Sequence, residues 1–467
     1  MNKNNLDDYI IDFNLAYIQG TDILKQYQFF PIKEYDIYIL VAITSNRYKN
    51  NIEQIYNKPI KYIDITQKIF DFEITHLYNK YTITQLCDKS IQIQQHNQND
   101  NPFISQFCIK LFEFAIFTKA SDIHIETLKD SLIIRFRIDG ILIQFFNLPY
   151  NIYPILSSIL KLLASLDISQ KRLPQNGRFS QNIDDNIYDF RISTLPTING
   201  ESIVLRVLDN KKAFLKLKDI GFSDDIYNSI LKNITATQGM ILITGPTGSG
   251  KTTTLYSILN QLNNKNLKII SIEDPIEYNI DGIQQVNINN DIGLDYEMVL
   301  KNLLRQDPDI MLIGEIRDSK TLQIAIQASL TGHLVIATLH TNNAIKTINR
   351  LIDLKAEPFL ISSVLKLIVS QRLIRVLCNN CKKPIEIDGL KVYKAVGCKK
   401  CNLSGYTGRM IVTESLEIDE DISNIINNNT NIQQILHNQS YKTINDNSYE
   451  KVLQGLTSLE EYYRHEI

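Results

Sequence analysis

The sequence predicts a multidomain α/β protein. A small α+β unit occupies the N-terminal half, and a parallel-sheet unit with a four-cysteine insertion occupies the C-terminal half. Three observations carry this. At 467 residues the chain exceeds one ordinary core, and about two to four domains are expected. From about residue 222 onward, apolar runs of strand length alternate with helical stretches, the pattern of a parallel sheet with crossover helices. Four of the six cysteines fall in two C-x-x-C pairs within residues 378–401.

Taken in order, residues 1–91 mix short helical and strand-like pieces ("YDIYILVAIT") without a chemical motif and form an N-terminal extension. The polar stretch 92–101 ("QIQQHNQNDN") reads as a linker. Within 102–209 a helix ("FISQFCIKLFEFAIFTKA") precedes "SDIHIE" and "SLIIRFRIDGILIQFF", a hairpin pattern around Asp139-Gly140. A helix over 151–166 and the strand pair "IYDFRIST" and "ESIVLRVLD" complete that unit. Residues 210–222 form a second linker, and 223–467 make up the last unit.

The composition is that of a globular protein, 44% hydrophobic and 21% charged. A net charge of −2 supplies no global basic field, so a direct nucleic-acid partner is not expected. The acidic N-terminus lacks the order of a signal peptide. No apolar run approaches the roughly 20 residues that span a bilayer. A cytoplasmic protein is therefore expected, one that meets a membrane only through partners.

"GMILITGPTGSGKTTTLYSILNQL" is a strand, a glycine loop and a helix. This is the P-loop pattern in its required context. Gly245, Pro246, Thr247, Gly248, Ser249, Gly250, Lys251, Thr252 and Thr253 are the expected nucleotide-binding stretch. Its backbone N–H groups close around phosphate oxygens at a helix N-terminus. Lys251 would reach the β- and γ-phosphates, and the Thr252 hydroxyl would ligate Mg²⁺.

Three further apolar strands end in chemistry: "LKIISIEDPIEY" in Glu273-Asp274, "IMLIGE" in Glu315 and "HLVIATLHTN" in His340. Ligands of an open parallel sheet bind at such carboxyl ends. Uncompensated buried carboxylates are costly, and Mg²⁺ would compensate them. Glu315 is assigned the metal side and Glu273 the attacking water, with Glu277 as the alternative. His333 and His340 flank one strand, about 23 Å apart if extended, so both cannot meet one phosphate. His340 is the candidate; His333 is equally well explained as a structural hydrogen-bonding histidine.

"CNNCKKPIEIDGLKVYKAVGCKKC" separates its two cysteine pairs by residues 382–397, within zinc-ribbon spacing. Cys378, Cys381, Cys398 and Cys401 are expected to bind Zn²⁺ in a closed structural site, with Lys382, Lys383, Lys399 and Lys400 offsetting the thiolate charge. Redox-active dithiols are the alternative. Cys87 and Cys108 stand alone.

"GPTGSGKTTTLY", "IEDPIEY", "IGEIRD" and "ASLTGHLVIATLHTN" resemble the Walker A, Asp-box, Walker B and His-box motifs of the type II secretion and type IV pilus assembly ATPases. The resemblance continues upstream through "ASDIHIE", "RFRIDG", "KRLPQNGRF" and "DFRISTLPTINGESIVLRVLD", and downstream through "SQRLIRVLC". It spans roughly residues 100–415. The chain departs from the family pattern at Ile411 in "GRMIVTE", where a glycine is usual, and shows little likeness after residue 415.

The resemblance implies a PAS-like domain over 102–209 and a RecA-like ATPase domain over 223–467, with the zinc insertion at 376–408. It implies a homohexamer that binds ATP between these domains, with Arg191 and Arg206 acting on the phosphates when they close. It also implies work at the inner membrane with platform and docking proteins, building a pseudopilus or pilus. The cysteine insertion favours assembly over retraction. A nucleic-acid motor and a purely regulatory nucleotide-binding protein are the rival readings; the net charge speaks against the first and the paired acids against the second.

Overall fold

The computed structural model describes residues 12–95, 101–209, 215–428 and 441–465. The chain divides into two compact units, Met1–Asp209 and Asn210–Ile467.

The first unit begins with a three-stranded sheet of β1 (Phe29–Glu34), β2 (Ile39–Ile43) and β3 (Ile60–Asp64). β1 pairs antiparallel with β2, and β3 pairs parallel with it. β2 is the continuous apolar run "ILVAI" and is buried throughout, as a central strand covered on both faces must be. The helix Gln67–Gln95 sends Phe70, Ile74 and Leu77 into the core of this small sheet. Further along, Ile83, Leu86 and Cys87 of the same helix enter the core of a second sheet. The polar stretch read as a linker is thus helical through residue 95, and residues 96–100 lie outside the described residues.

That second sheet is antiparallel throughout, in the order β6-β5-β4-β9-β8-β7. Its strands are β4 (Asp122–Thr127), β5 (Ser131–Ile138), β6 (Ile141–Pro149), β7 (Gln175–Ile183), β8 (Asn186–Thr197) and β9 (Gly200–Asp209). The turn between β5 and β6 has positive φ at both Asp139 (+48°) and Gly140 (+84°), the two-residue geometry that matches strand twist. The helices Pro102–Phe117 and Tyr153–Leu163 help form its core, around Phe107, Phe112, Phe114, Phe136 and Phe190. β7 has no counterpart in the sequence reading. Only Phe179 and Ile183 of "QNGRFSQNI" are buried, so its apolar alternation is too sparse to signal a strand. Burial raises the Cys87 and Cys108 thiols to about 12, which leaves them unreactive packing groups.

His76 lies in this core, its ring edge-on to Phe114 with centroids 5.2 Å apart. Burial, helped by Lys80, lowers its pKa to about 4, against about 6.5 in the unfolded chain. The unfolded state therefore binds the proton more readily. Its contribution to stability is complete above about pH 6.5 and is lost as pH falls through 4. The melting temperature should fall across that window, and His76→Gln should flatten that part of the profile in a pH series of thermal melts.

The second unit is built on a seven-stranded sheet. Its strands are β10 (Gly239–Thr244), β11 (Ile269–Glu273), β12 (Gln284–Asn287), β13 (Ile310–Ile313), β14 (Leu334–Leu339), β15 (Leu365–Leu377) and, after the hairpin β16 (Lys383–Ile387) and β17 (Leu390–Lys394), β18 (Tyr406–Glu417). The order is β12-β11-β13-β14-β10-β15-β18, and all neighbours run parallel except β18. Alternation along β10 fixes the layers. Met240 and Leu242 join one core with residues of the helices Tyr296–Leu303, Ser319–Leu330 and Ala344–Asp353. Ile241 and Ile243 join the opposite core with residues of the helices Asp224–Ile234 and Lys251–Leu262. Strands buried on both faces read as unbroken apolar runs, which is why β10, β11, β13 and β14 were legible. Among the described residues, no helix is long and apolar enough to cross a membrane. Residues 210–214 of the second expected linker and 429–440 near the C-terminus lie outside the described residues.

Candidate active site and metal centre

The strand order places β11, β13, β14 and β10 side by side. The P-loop, Glu273, Glu315 and His340 therefore issue from adjacent carboxyl ends, where an open parallel sheet binds its ligands.

The loop's first glycine is dictated by crowding. Gly245 has φ +146°, and a Cβ there would lie 2.3 Å from the Gln371 carbonyl oxygen. Gly248 and Gly250 take φ +79° and +89°, which costs glycine nothing. Lys251 Nζ donates to the carbonyls of Gly245 (2.7 Å) and Pro246 (3.1 Å). Burial lowers its pKa, and Glu315 opposes the shift. Thr252 follows on the first helical turn with its side chain exposed. Ser249 is buried, and its Oγ has no hydrogen-bond partner among the described residues.

Glu315 is held from two sides. Arg317 Nε donates to Oε2 at 2.7 Å, and His340 Nε2 lies 3.2 Å from Oε1. Arg317 also reaches Asp274, at 3.8 Å. Burial lowers the His340 pKa, Lys251 lowers it further, and Glu315 partly restores it. The imidazole is thus neutral at pH 7 and can donate from Nε2 to the carboxylate. Gly314 precedes the glutamate for a steric reason: a Cβ there would come within 3.0 Å of the Ile272 carbonyl and 3.3 Å of the Tyr296 hydroxyl. β13 and β11 can approach this closely only without a side chain.

Glu273 ends β11 inside the sheet. It is 5% exposed, and its carboxylate accepts from Tyr256 (2.5 Å), Ser271 (2.7 Å) and Gln285 (3.2 Å). Both of its oxygens are thus engaged by neighbouring side chains. The Tyr256 hydroxyl in turn accepts from the backbone N–H groups of Glu277 (3.2 Å) and Tyr278 (3.5 Å). Glu273 therefore anchors the segment that carries Glu277, which is only half-buried. His333 Nδ1 lies 3.0 Å from the Ala328 carbonyl, which matches the structural reading of that residue. Arg317 and Tyr256 were missed in the sequence. The signal for Arg317 was its i+2 spacing from Glu315; Tyr256 carried none.

In the first unit, Arg191 and Arg206 are direct cross-strand partners on β8 and β9. They share one face of the sheet. Arg206 is 60% exposed and donates to Asp122 at 3.2 Å.

The four paired cysteines converge where β15 ends and β18 begins. Their sulfurs lie within 4.8 Å of one another. Three of the separations, Cys378–Cys398, Cys381–Cys401 and Cys398–Cys401, are 3.8, 3.8 and 3.7 Å. A tetrahedron with arms of about 2.3 Å has edges of about 3.8 Å, so the quartet fits a tetrahedral thiolate-bound metal. No disulfide joins them. Burial alone would raise the Cys401 thiol, but the backbone N–H groups of Cys398 and Gly405, together with hydrogen bonds from the Cys398 and Cys381 thiols, hold its pKa down. Of the lysines expected to offset the charge, Lys382 instead donates to the Gly455 carbonyl and Lys400 to Asn380.

Residues 97–464 match the family described as Type II/IV secretion system protein. The chain is 43% identical to the type II secretion system ATPase E of Vibrio cholerae over 383 residues, covering 79% of this chain and 76% of that protein. It is 38% identical to the type IV pilus assembly ATPase PilB of Thermus thermophilus, covering 83% of this chain and 46% of that one. Among solved structures, the pilus retraction motor PilT with bound ADP is similar at 29% identity, with a TM-score of 0.56 over 76% of this chain and 96% of that one. The Legionella pneumophila ATPase DotB shares the fold, with a TM-score of 0.60 at 23% identity, over 79% of this chain and 97% of that one. A match of this reach, met by relatives above 40% identity along most of both chains, places the chain in the type II/IV secretion system protein family as one of its ATPases.

Proposed function

We propose that this ATPase drives assembly of a pseudopilus or type IV pilus, working as a homohexamer on the cytoplasmic side of the inner membrane against platform and docking proteins. The observation that carries this is the 43% identity to a type II secretion ATPase along most of both chains. Retraction is the second reading, favoured by the likeness to PilT. We read the six-stranded sheet and its helices as the PAS-like domain and the seven-stranded unit as RecA-like. Deleting the gene should abolish extracellular release of secreted enzymes or surface piliation. A plasmid copy should restore it, and a Lys251→Ala copy should not. Intact secretion and piliation with loss of pilus retraction alone would favour the second reading.

In the reaction, Lys251 and the loop N–H groups hold the phosphates. Thr252 and Glu315 are the residues that would hold Mg²⁺, which supplies charge neutralisation at the phosphate oxygens. Glu277, braced through Tyr256 by Glu273, takes the role of orienting the attacking water. Arg191 and Arg206 take the role of acting on the phosphates in this reading.

Cys378, Cys381, Cys398 and Cys401 hold a structural Zn²⁺ in this reading. Protein prepared without added metal should contain about one zinc per chain by elemental analysis, and chelation should lower its melting temperature. Zinc below half-occupancy together with intact disulfides by mass spectrometry would favour the redox alternative.

A further inference from the structure

We propose that Gln371, a buried side chain on β15, is the positioning residue that aims the phosphate loop. It sets the peptide plane between Ser249 and Gly250. The inference rests on reading residues 245–252 as the nucleotide phosphate site.

Gln371 is 1% exposed and uses both ends of its amide. Nε2 donates to the Ser249 carbonyl at 2.8 Å. Oε1 accepts from the Thr254 hydroxyl at 2.9 Å. The opposite amide orientation would set its oxygen against the Ser249 carbonyl, two acceptors face to face, so the loop itself fixes which way the amide points. The side chain thus bridges the loop and the first turn of the following helix.

The consequence follows from peptide geometry. The 249–250 peptide is planar and trans, so its C=O and N–H point in opposite directions. With the Ser249 carbonyl drawn toward β15, the Gly250 N–H is turned away from β15, toward the interior of the loop. Gly250 holds φ +89°, where glycine has several accessible alternatives, so this plane needs an external restraint. The strand supplies other restraints at the same place. Ser370 Oγ lies 2.6 Å from Thr244 Oγ1, both groups buried, in the register that pairs Thr244 with Ser370. The Gln371 carbonyl also occupies the space that a side chain at residue 245 would need. A polar Ser-Gln pair inside "LKLIVSQRLIRVL" is therefore the back wall of the loop, and its donors are set before ligand arrives.

The test uses the full chain and ADP as the probe. Gln371→Met keeps the length and removes both hydrogen bonds. It should weaken ADP binding roughly 10- to 100-fold, the factor for one lost hydrogen bond to a charged group. Gln371→Glu separates positioning from space-filling. As a protonated acid it can donate to Ser249 and accept from Thr254. Once ionised it presents only acceptors. Its ADP affinity relative to wild type should approach parity at low pH and fall at least about tenfold as pH rises, whereas a space-filling role predicts a constant ratio. Thermal melts at each pH monitor folding. If Gln371→Met does not fold, Thr254→Val decides, because it removes one of the two anchors of the amide and should weaken ADP several-fold. Unchanged ADP affinity in folded Gln371→Met, a pH-independent ratio for Gln371→Glu, or unchanged affinity in Thr254→Val would overturn the proposal. Lys251→Ala tests the underlying reading separately: if it too binds ADP normally, the loop is not the phosphate site, and the failure lies there.

Discussion

Replacing Glu315 with glutamine should leave ATP binding nearly intact and reduce turnover by about 10²-fold or more. The amide keeps the size and shape of the side chain but removes the charge that meets Arg317 at 2.7 Å and His340 at 3.2 Å. Those contacts hold the carboxylate at the end of β13, beside β14, which in turn neighbours the β10 strand that leads into the P-loop. The fold should survive, because the side chain lies at the mouth of the sheet rather than in a core. Lys251→Ala should behave differently. It removes the cation above the loop, so binding and turnover fall together. Nucleotide titration alongside single-turnover hydrolysis separates the two. A wild-type rate for Glu315→Gln would remove this residue from the reaction.

Arg206→Ala and Arg191→Ala are expected to bind nucleotide almost normally and to hydrolyse it about 10³-fold more slowly. That is the scale on which an arginine stabilises transferring phosphoryl charge. The competing explanation is that each is a surface residue. For Arg206 this means its 3.2 Å contact with Asp122 at 60% exposure, and such a pair contributes at most about 1 kcal/mol. The two explanations differ by several kcal/mol. The cross-strand pairing of Arg191 and Arg206 puts two like charges opposite each other, an arrangement that disfavours the sheet unless an anion or acid offsets it. Sedimentation must accompany the kinetics, because an assembly defect would mimic a catalytic one. Near-normal turnover in both variants, with assembly unchanged, would confine the site to the second unit.

Much of the fold and the site is legible in the sequence. The P-loop announces itself because its chemistry is local: glycines that relieve crowding, a lysine and a threonine at fixed spacing, a strand before and a helix after. β10, β11, β13 and β14 were legible because both of their faces are buried, which forces continuous apolar sequence. The cysteine pairs needed only their spacing. β7 was not legible, since it buries just two side chains, and the helix Gln67–Gln95 ran on through polar residues that looked like a linker.

The sequence by itself determined which strand ends carry acids and histidine, where the phosphate loop lies and which four thiolates can meet. Only the tertiary structure decided which acid faces inward. Glu273 and Glu277 are four residues apart and chemically alike, but Tyr256 comes to Glu273 from the helix after the P-loop and Gln285 comes from β12. Gln371 likewise gains its role from Ser249 and Thr254, more than 110 residues away along the chain. A carboxylate or amide takes its function from the donors and acceptors that fill its hydrogen-bonding capacity. Those partners arrive from other strands and helices, so their identity is a property of the packed sheet and not of any local spacing.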